Sequence, residues 1–316
     1  MTKLIIQIPC FNEAETLPAT LADLPNQVPG FDQIEVLVID DGSSDNTAAV
    51  AREQGVDHLL VLPRNTGLAN AFSVGLQHAL GLGADVVVNT DGDNQYPGRY
   101  IPDLVQPILA GEAEMVVGDR QIGTIQHFSA TKRLLQRIGS WVVRWASSTD
   151  VPDTTSGFRA FSRESALRLT IYSDYTYTLE TIIQAGKRNI AITSVPITTN
   201  EVRRRSRLIR NIPAYILISA VTIVRIFLMY EALRVFLGLS LIPLLAGTFL
   251  LGRFGYFILS GEGSGHIQSL VIAAILMVLG FLTILLGLLA DLIAQNRRMN
   301  EDILYRVRKS EIGRHS

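Results

Sequence analysis

Two stretches of this chain carry no charge, "VFLGLSLIPLLAGTFLLG" at 235–252 and "IQSLVIAAILMVLGFLTILLGLLA" at 267–290. A helix of about 20 apolar residues crosses roughly 30 Å of hydrocarbon, and each run is near or beyond that length. The link between them, "SGEGSGH" at 260–266, is rich in glycine. A pair of buried core helices is the other reading, but two such runs around a glycine-rich link predict a transmembrane hairpin. Basic residues lie on both outer flanks, in "EVRRRSRLIR" at 201–210 and "QNRRMNEDILYRVRK" at 295–309, whereas Arg253 and His266 are the basic residues near the link. By the positive-inside rule both ends of the chain are expected in the cytoplasm, in a multi-pass protein of the plasma or inner membrane. The stretch 212–234 is apolar but holds Arg225 and Glu231. It reads as a helix lying at the interface of the bilayer or packed on the hairpin. A third span there would put the two basic flanks on opposite sides.

The first two hundred residues differ in kind. Short apolar runs stand at 4–8, 35–40, 58–62, 85–90 and 114–118. Runs of that length without alternation suit strands buried on both faces. Helical patterns lie between them at 13–24, 45–54, 67–81 and 99–110, and "SSDNTAAVA" offers polar N-cap residues to the second. Strand and helix in alternation predict an α/β domain with a mostly parallel sheet. A net charge of −1 gives no overall nucleic-acid footprint, and the single cysteine, Cys10, excludes an internal disulfide. The N-terminal "MTKLIIQIPCFNEAE" is a poor signal peptide, so export of this part is not expected.

In open α/β sheets, ligands bind beyond the carboxyl ends of the strands. "VVVNTDGDNQYP" at 86–97 puts Asp91, Asp93 and Gln95 at such an end, on alternate positions. Compact oxygen ligands suit Mg²⁺ or Mn²⁺, although "DGDN" would also make a solvated turn. A phosphatase nucleophile fits poorly with Gln95 at the fifth position. No G-x-G-x-x-G or G-x-x-x-x-G-K follows the first strand. Other strand ends add Phe11 and Glu13, Asp40 and Asp41, and Arg120. Singly each is a cap or a turn; jointly they describe a nucleotide-diphosphate site.

"IPCFNEAE", "VLVIDDGSSDNT", "NTGLANAFSVGL", "DGDNQYP", "VVGDR" and "DTTSGFRAFSRE" follow one another in this order. With them the chain, from residue 3 to about 210, resembles the family-two glycosyltransferases, in particular the branch of dolichyl-phosphate mannosyltransferase and bactoprenol glucosyltransferase. The resemblance implies a glycosyltransferase A type nucleotide-sugar-binding domain followed by a helical membrane domain. The expected boundaries are 1–210 catalytic, 211–234 juxtamembrane, 235–292 hairpin and 293–316 cytoplasmic basic tail. It implies that Pro9, Phe11, Glu13, Asp41 and Asp91 hold the nucleotide, and that Asp91, Asp93 and Gln95 hold Mg²⁺ or Mn²⁺. Asp93, Arg120, Arg133 (Lys132 in a register shifted by one), Arg203 and Arg207 serve the transfer. Phe11 stands where relatives often have Tyr, "GDR" replaces the commoner "GSR", and Arg204-Arg205 stand where lipid-phosphate enzymes usually have glycine. Asp153 and the Ser156-Gly157-Phe158 turn are expected beneath the site in structural roles. Glu180 either orients a basic partner or caps a buried helix. His58, His78, His127 and His266 have no ligand spacing.

The implied activity is inverting transfer of a sugar from a nucleotide-sugar to polyprenyl phosphate at the lipid bilayer, by a homo-oligomer. UDP-glucose is the first donor choice and GDP-mannose the second. The acceptor oxygen is already anionic, so positioning and electrostatics suffice without a general base. Processive polysaccharide synthases usually add a Q-x-x-R-W block; here Trp141 precedes Arg144-Trp145, so that signature is missing. A non-catalytic membrane scaffold, or a transferase with another lipid or glycan acceptor, is the alternative.

Overall fold

The five apolar runs become strands because helices cover both faces of the sheet they build. In the computed structural model of the chain, which describes residues 2–121, 143–144, 147–172, 177–200, 212–261 and 267–315, these are β1 (Lys3–Cys10), β2 (Gln33–Asp40), β3 (His58–Val61), β4 (Val86–Asn89) and β5 (Met115–Asp119). Leu4, Ile5, Ile6 and Ile8 of β1 are wholly buried. β6 (Arg159–Ser162) and β7 (Ile192–Pro196) complete the sheet. Neither stands out in the sequence, since β6 is headed by an arginine and β7 carries Thr193 and Ser194. The order among the described residues is β3-β2-β1-β4-β6-β5-β7. β6 is antiparallel to β4 and β5, and the other pairings are parallel. The expected mostly parallel α/β sheet therefore forms.

Helices α1 (Leu17–Ala22), α2 (Thr47–Glu53), α3 (Leu68–Gly81) and α4 (Ile101–Leu109) connect the first five strands, and α5 (Arg163–Arg168) and α6 (Thr178–Lys187) flank the route from β6 to β7. α3 approaches the sheet at Gly75, where a Cβ would come within 2.7 Å of Ile39 Cδ1. α1 starts later than the pattern at 13–24 suggests. Residues 12–14 are bound instead to the loop after β2: Asn12 N–H donates to Ser43 Oγ (2.9 Å), Glu13 N–H to Thr47 Oγ1 (2.9 Å) and Ala14 N–H to Asp45 Oδ2 (3.2 Å).

The chain divides into two compact units, Met1–Ile223 with Ile303–Ser316, and Val224–Asp302. Helix α7 (Ile212–Leu259) is interrupted at Glu231, whose backbone (φ −131°, ψ 31°) is not helical. The interruption falls near the sequence boundary at 234, where the charges end. Helix α8 (Ile267–His315) continues through the basic tail. Among the described residues two segments, Glu231–Leu259 and Ile267–Ile312, are long and apolar enough to cross a membrane.

The second unit is held by small residues at a seven-residue period. On α8 the buried positions are Ala273, Gly280, Gly287, Ala294 and Glu301; on α7 they include Ser240 and Gly247. A Cβ on Gly280 would lie 2.5 Å from Leu244 Cγ, and one on Gly287 would lie 2.7 Å from Phe236 Cβ. A seam every seven residues on helices of about 3.6 residues per turn drifts slowly and makes a left-handed crossing. Small residues let backbones approach where lipid offers no hydrophobic drive for association. Outward-facing side chains are large and apolar, with Phe249 72%, Leu259 89% and Ile293 70% exposed. Glu301 ends the seam, paired with Arg297 at 2.9 Å. Replacing Gly280 by Leu should overpack the seam and cost about 1–3 kcal/mol. Gly252→Leu, with open space around its Cβ, should be neutral; thermal unfolding of both variants in detergent checks the pair.

Candidate active site at the carboxyl edge of the sheet

The loops after β1, β2 and β4 meet at one edge. Asn12, in the left-handed region at φ 55°, accepts at Oδ1 from Ser44 N–H (2.8 Å) and Asp45 N–H (3.3 Å), which ties the first loop to the second. Gly42 (φ 63°) passes so close to Arg64 that a Cβ would lie 2.4 Å from its carbonyl carbon. Asp41 is buried, and both its oxygens accept from the loop after β3: Oδ1 from Thr66 N–H (2.8 Å) and Oγ1 (2.7 Å), Oδ2 from Gly67 N–H (2.9 Å). Any nucleoside contact at Asp41 has to share those oxygens. Pro9 is buried, Phe11 is 37% exposed, and Glu13 accepts from Thr16 Oγ1 at 2.7 Å.

The D-x-D loop leaves β4 at Asn89. The Asn89 side chain accepts from Gln7 Nε2 (2.9 Å) and donates to Gly157 O (2.9 Å) and Tyr177 Oη (2.8 Å). Asp91, Asp93 and Gln95 are half-buried. Gln95 N–H donates to Asp93 Oδ1 (3.1 Å), and Thr20 Oγ1 donates to Gly92 O (3.0 Å). Burial, then the neighbouring Asp93 and Glu13, push the Asp91 carboxyl up to about 7, against the opposing pull of Arg120 and Arg159. Two carboxylates this close resist joint ionisation.

Arg120 leaves β5 and forms a two-pronged pair with Asp153, Nε to Oδ2 at 2.6 Å and Nη2 to Oδ1 at 2.9 Å, and also donates from Nη2 to Thr155 Oγ1 at 2.6 Å. Burial alone would raise the Asp153 carboxyl, yet the bonds and charge of Arg120 hold it below the usual carboxylate range. Arg120 itself is pushed up: burial opposes this, and Tyr96, Asp153 and Asp91 outweigh it. Asp153 thus has the structural part expected of it. Beneath lies Arg159, wholly buried and bonded to neutral acceptors: Ser156 O (2.8 Å), Thr178 O (2.8 Å), Thr154 O (3.0 Å) and Thr181 Oγ1. Burial lowers it to about 10. Glu180 is buried on α6 and accepts from Tyr172 N–H (3.1 Å) and Gln184 Nε2 (3.2 Å), which ties the segment before that helix to it.

The donor set fits a divalent cation. Asp91 and Asp93 carry more negative charge than the site keeps unneutralised. Gly157 also leaves an opening in front of Asp91, where a Cβ would sit 3.0 Å from Oδ1 and 3.2 Å from Oδ2. Among the described residues no group of three or more His, Cys, Asp or Glu gathers to hold a metal. Two carboxylates and an amide would make up only part of a cation's shell, the rest coming from water and phosphate oxygens, as Mg²⁺ prefers. Arg133, with its neighbour Lys132, Arg203 and Arg207 lie outside the described residues. Arg159, Asn89 and Tyr177 were not singled out by sequence reasoning, although Arg159 stands in the "SGFR" of a recognised block.

The sign of the pH dependence follows from Asp91. A carboxyl raised in the folded state contributes stability below its unfolded range and loses it as pH rises through about 7. With chelator present, the melting temperature should fall as pH rises from about 5 to about 7 and change little above that. Added Mn²⁺ should reverse the loss and release protons on binding. Calorimetric titration in buffers of different ionisation enthalpy checks this, and the proton release should vanish in Asp91→Asn.

The polyprenol monophosphomannose synthase of Mycolicibacterium smegmatis is 27% identical over 208 residues, 62% of this chain and 77% of that protein. The undecaprenyl-phosphate mannosyltransferase of Micrococcus luteus is 28% identical over 201 residues, 60% of this chain and 81% of that protein. Among solved structures, glucosyl-3-phosphoglycerate synthase of Mycobacterium tuberculosis, in complex with Mn²⁺, UDP-glucose and phosphoglyceric acid, superposes with a TM-score of 0.58 at 22% identity, covering 72% of this chain and 80% of the other. That likeness establishes the fold. Residues 5–169 match the family described as "Glycosyl transferase family 2", and the chain belongs to that family.

Proposed function

We propose that the protein transfers a sugar from a nucleotide-sugar to polyprenyl phosphate at the cytoplasmic face of a plasma or inner membrane. The carrying observation is the crowded Asp91–Asp93 pair with Arg120 fixed beside it, in a chain that also has a long apolar hairpin. The names of the two relatives support the lipid-phosphate acceptor. UDP-glucose remains the first reading of the donor and GDP-mannose the second, which those names favour.

In this reading Pro9, Phe11, Glu13, Asp41 and Asp91 hold the nucleotide. Asp91, Asp93 and Gln95 hold Mg²⁺ or Mn²⁺, which supplies charge neutralisation for the leaving diphosphate. Arg120, kept charged and aimed by Asp153, adds a fixed positive field. Arg133, Arg203 and Arg207 gather around two phosphates, the donor's and the lipid's. The lipid's phosphate is anionic near neutral pH, so the chain orients a nucleophile rather than creating one. A single displacement inverts the anomeric centre. The domain boundaries 1–210, 211–234, 235–292 and 293–316 belong to the same proposal, as does a homo-oligomeric assembly.

Membranes holding the protein, given each donor with polyprenyl phosphate, should yield lipid-linked sugar and nucleoside diphosphate from one of them. No release from either donor would leave a non-catalytic scaffold. An arginine–phosphate contact is worth roughly 1.5–3 kcal/mol, so Arg203→Ala should slow transfer about ten- to a hundredfold and weaken donor binding much less. Arg203→Lys should restore only part, since an ammonium cannot make the two-pronged contact. Normal transfer by Arg203→Ala at every lipid concentration would leave "RRRSRL" a topology signal.

Topology has its own check. Ser264→Cys, in the link between the two apolar helices, should react with an impermeant thiol reagent from outside. Labelling from the cytoplasmic side alone would overturn the hairpin.

A further inference from the structure

The turn that carries the metal-binding candidates is fixed by a residue far away in the chain. Asn94, between Asp93 and Gln95, is held in the left-handed region at φ 56°. Its own Oδ1 does not secure that conformation, being buried with no hydrogen-bond partner among the described residues. The two carbonyls of the turn are instead taken by Asn200. Asn200 Nδ2 donates to Asn94 O at 3.0 Å across 106 positions, and Asn200 N–H donates to Gln95 O at 3.0 Å. Thr198, two residues earlier, continues the contact along the same loop. Its Oγ1 accepts from Arg99 Nη2 at 3.2 Å and shares a bond with Tyr100 Oη at 2.9 Å. The exit from β7 is therefore bonded to the D-x-D turn and to the residues that follow it.

We propose that Asn200 is a positioning residue for the cation site: by holding the carbonyls of Asn94 and Gln95, it sets the turn from which Asp93 and Gln95 project. The proposal rests on the reading of Asp91, Asp93 and Gln95 as cation ligands. Asn200 touches no reacting atom and acts through the backbone of the turn. Without Nδ2 the left-handed residue relaxes, the Gln95 N–H to Asp93 Oδ1 bond at 3.1 Å loses its frame, and the two carboxylates no longer face one point. Groups that orient metal ligands in this way typically change affinity about ten- to a hundredfold when removed.

The experiment is a titration of the purified full chain in detergent with Mn²⁺ alone, followed by electron paramagnetic resonance, without donor or acceptor. Asn200→Ala keeps the backbone bond and removes the side-chain one, and its Mn²⁺ affinity should fall about tenfold. Asn200→Asp also lacks the donor but adds a negative charge. A positioning role predicts weaker binding there too, whereas simple proximity of charge would tighten it and overturn the proposal. Thr198→Ala leaves the 94–95 bonds intact and should bind as the wild type does. Melting temperatures should stay close among the three variants, and excess Mn²⁺ should restore the turnover of Asn200→Ala, which a generally loosened fold would not allow. Equal Mn²⁺ affinity in wild type and Asn200→Ala rejects the role of Asn200 and leaves the cation reading standing. Failure of the wild type to bind Mn²⁺ rejects the cation reading and the proposal together.

Discussion

A wholly buried guanidinium organises the site. Among the described residues the hydrogen bonds of Arg159 run to the carbonyls of Thr154, Ser156 and Thr178 and the hydroxyl of Thr181. Burying a charge is costly unless its hydrogen bonds are met, and here they are met by backbone and hydroxyl groups from two elements. That solution fixes the turn 153–158 against the start of α6. Because Gly157 belongs to that turn, the floor beneath Asp91 is set by the same side chain. Tyr177 and Asn89 complete the junction, Tyr177 by stacking on Phe72 with ring centroids 3.8 Å apart and Asn89 by joining β4 to Gly157 O. Strand β4, the turn and α6 thus converge on one buried polar knot.

The charges above the knot are deliberately unbalanced. Arg120 is committed to Asp153 by two prongs, so its neutralising effect on the D-x-D pair is fixed in place rather than free to collapse onto Asp91. The Asp91 carboxyl is left against a glycine, Gly157, whose missing Cβ would otherwise sit 3.0 Å from Oδ1. Such a site has little use for its charge by itself and a strong use for a cation that brings phosphate oxygens with it. Pre-set dipoles and charges of this kind need no reorganisation when a diphosphate departs.

The five short apolar strands, the D-x-D edge and the two charge-free helical stretches are legible because each is written in consecutive residues. Strand limits fall close to the runs, and the mostly parallel sheet follows from alternation. What escaped depends on partners remote in sequence. Arg159 reads as one more basic residue in "SGFRAFSRE" until the fold closes around it. Asn200 is an ordinary polar residue before a basic stretch, and its meaning lies 106 positions away. The delayed start of α1 came from contacts with the next loop, which no local propensity records. The seam Ala273, Gly280, Gly287, Ala294 was written plainly at a period of seven, but attention to length and missing charge passes over spacing.

The wiring of the D-x-D turn also has a consequence in time. A chain made from its N-terminus delivers Asp91 and Asp93 well before the groups that shape their surroundings, Gly157, Arg159, Tyr177 and finally Asn200. Domains generally close as units during synthesis, so the acidic loop acquires its final form only when Asn200 has left the ribosome. The two long apolar helices come next in line. Completion of the site therefore waits for nearly all of residues 1–223, and it falls just before the part of the chain that most needs shelter from water.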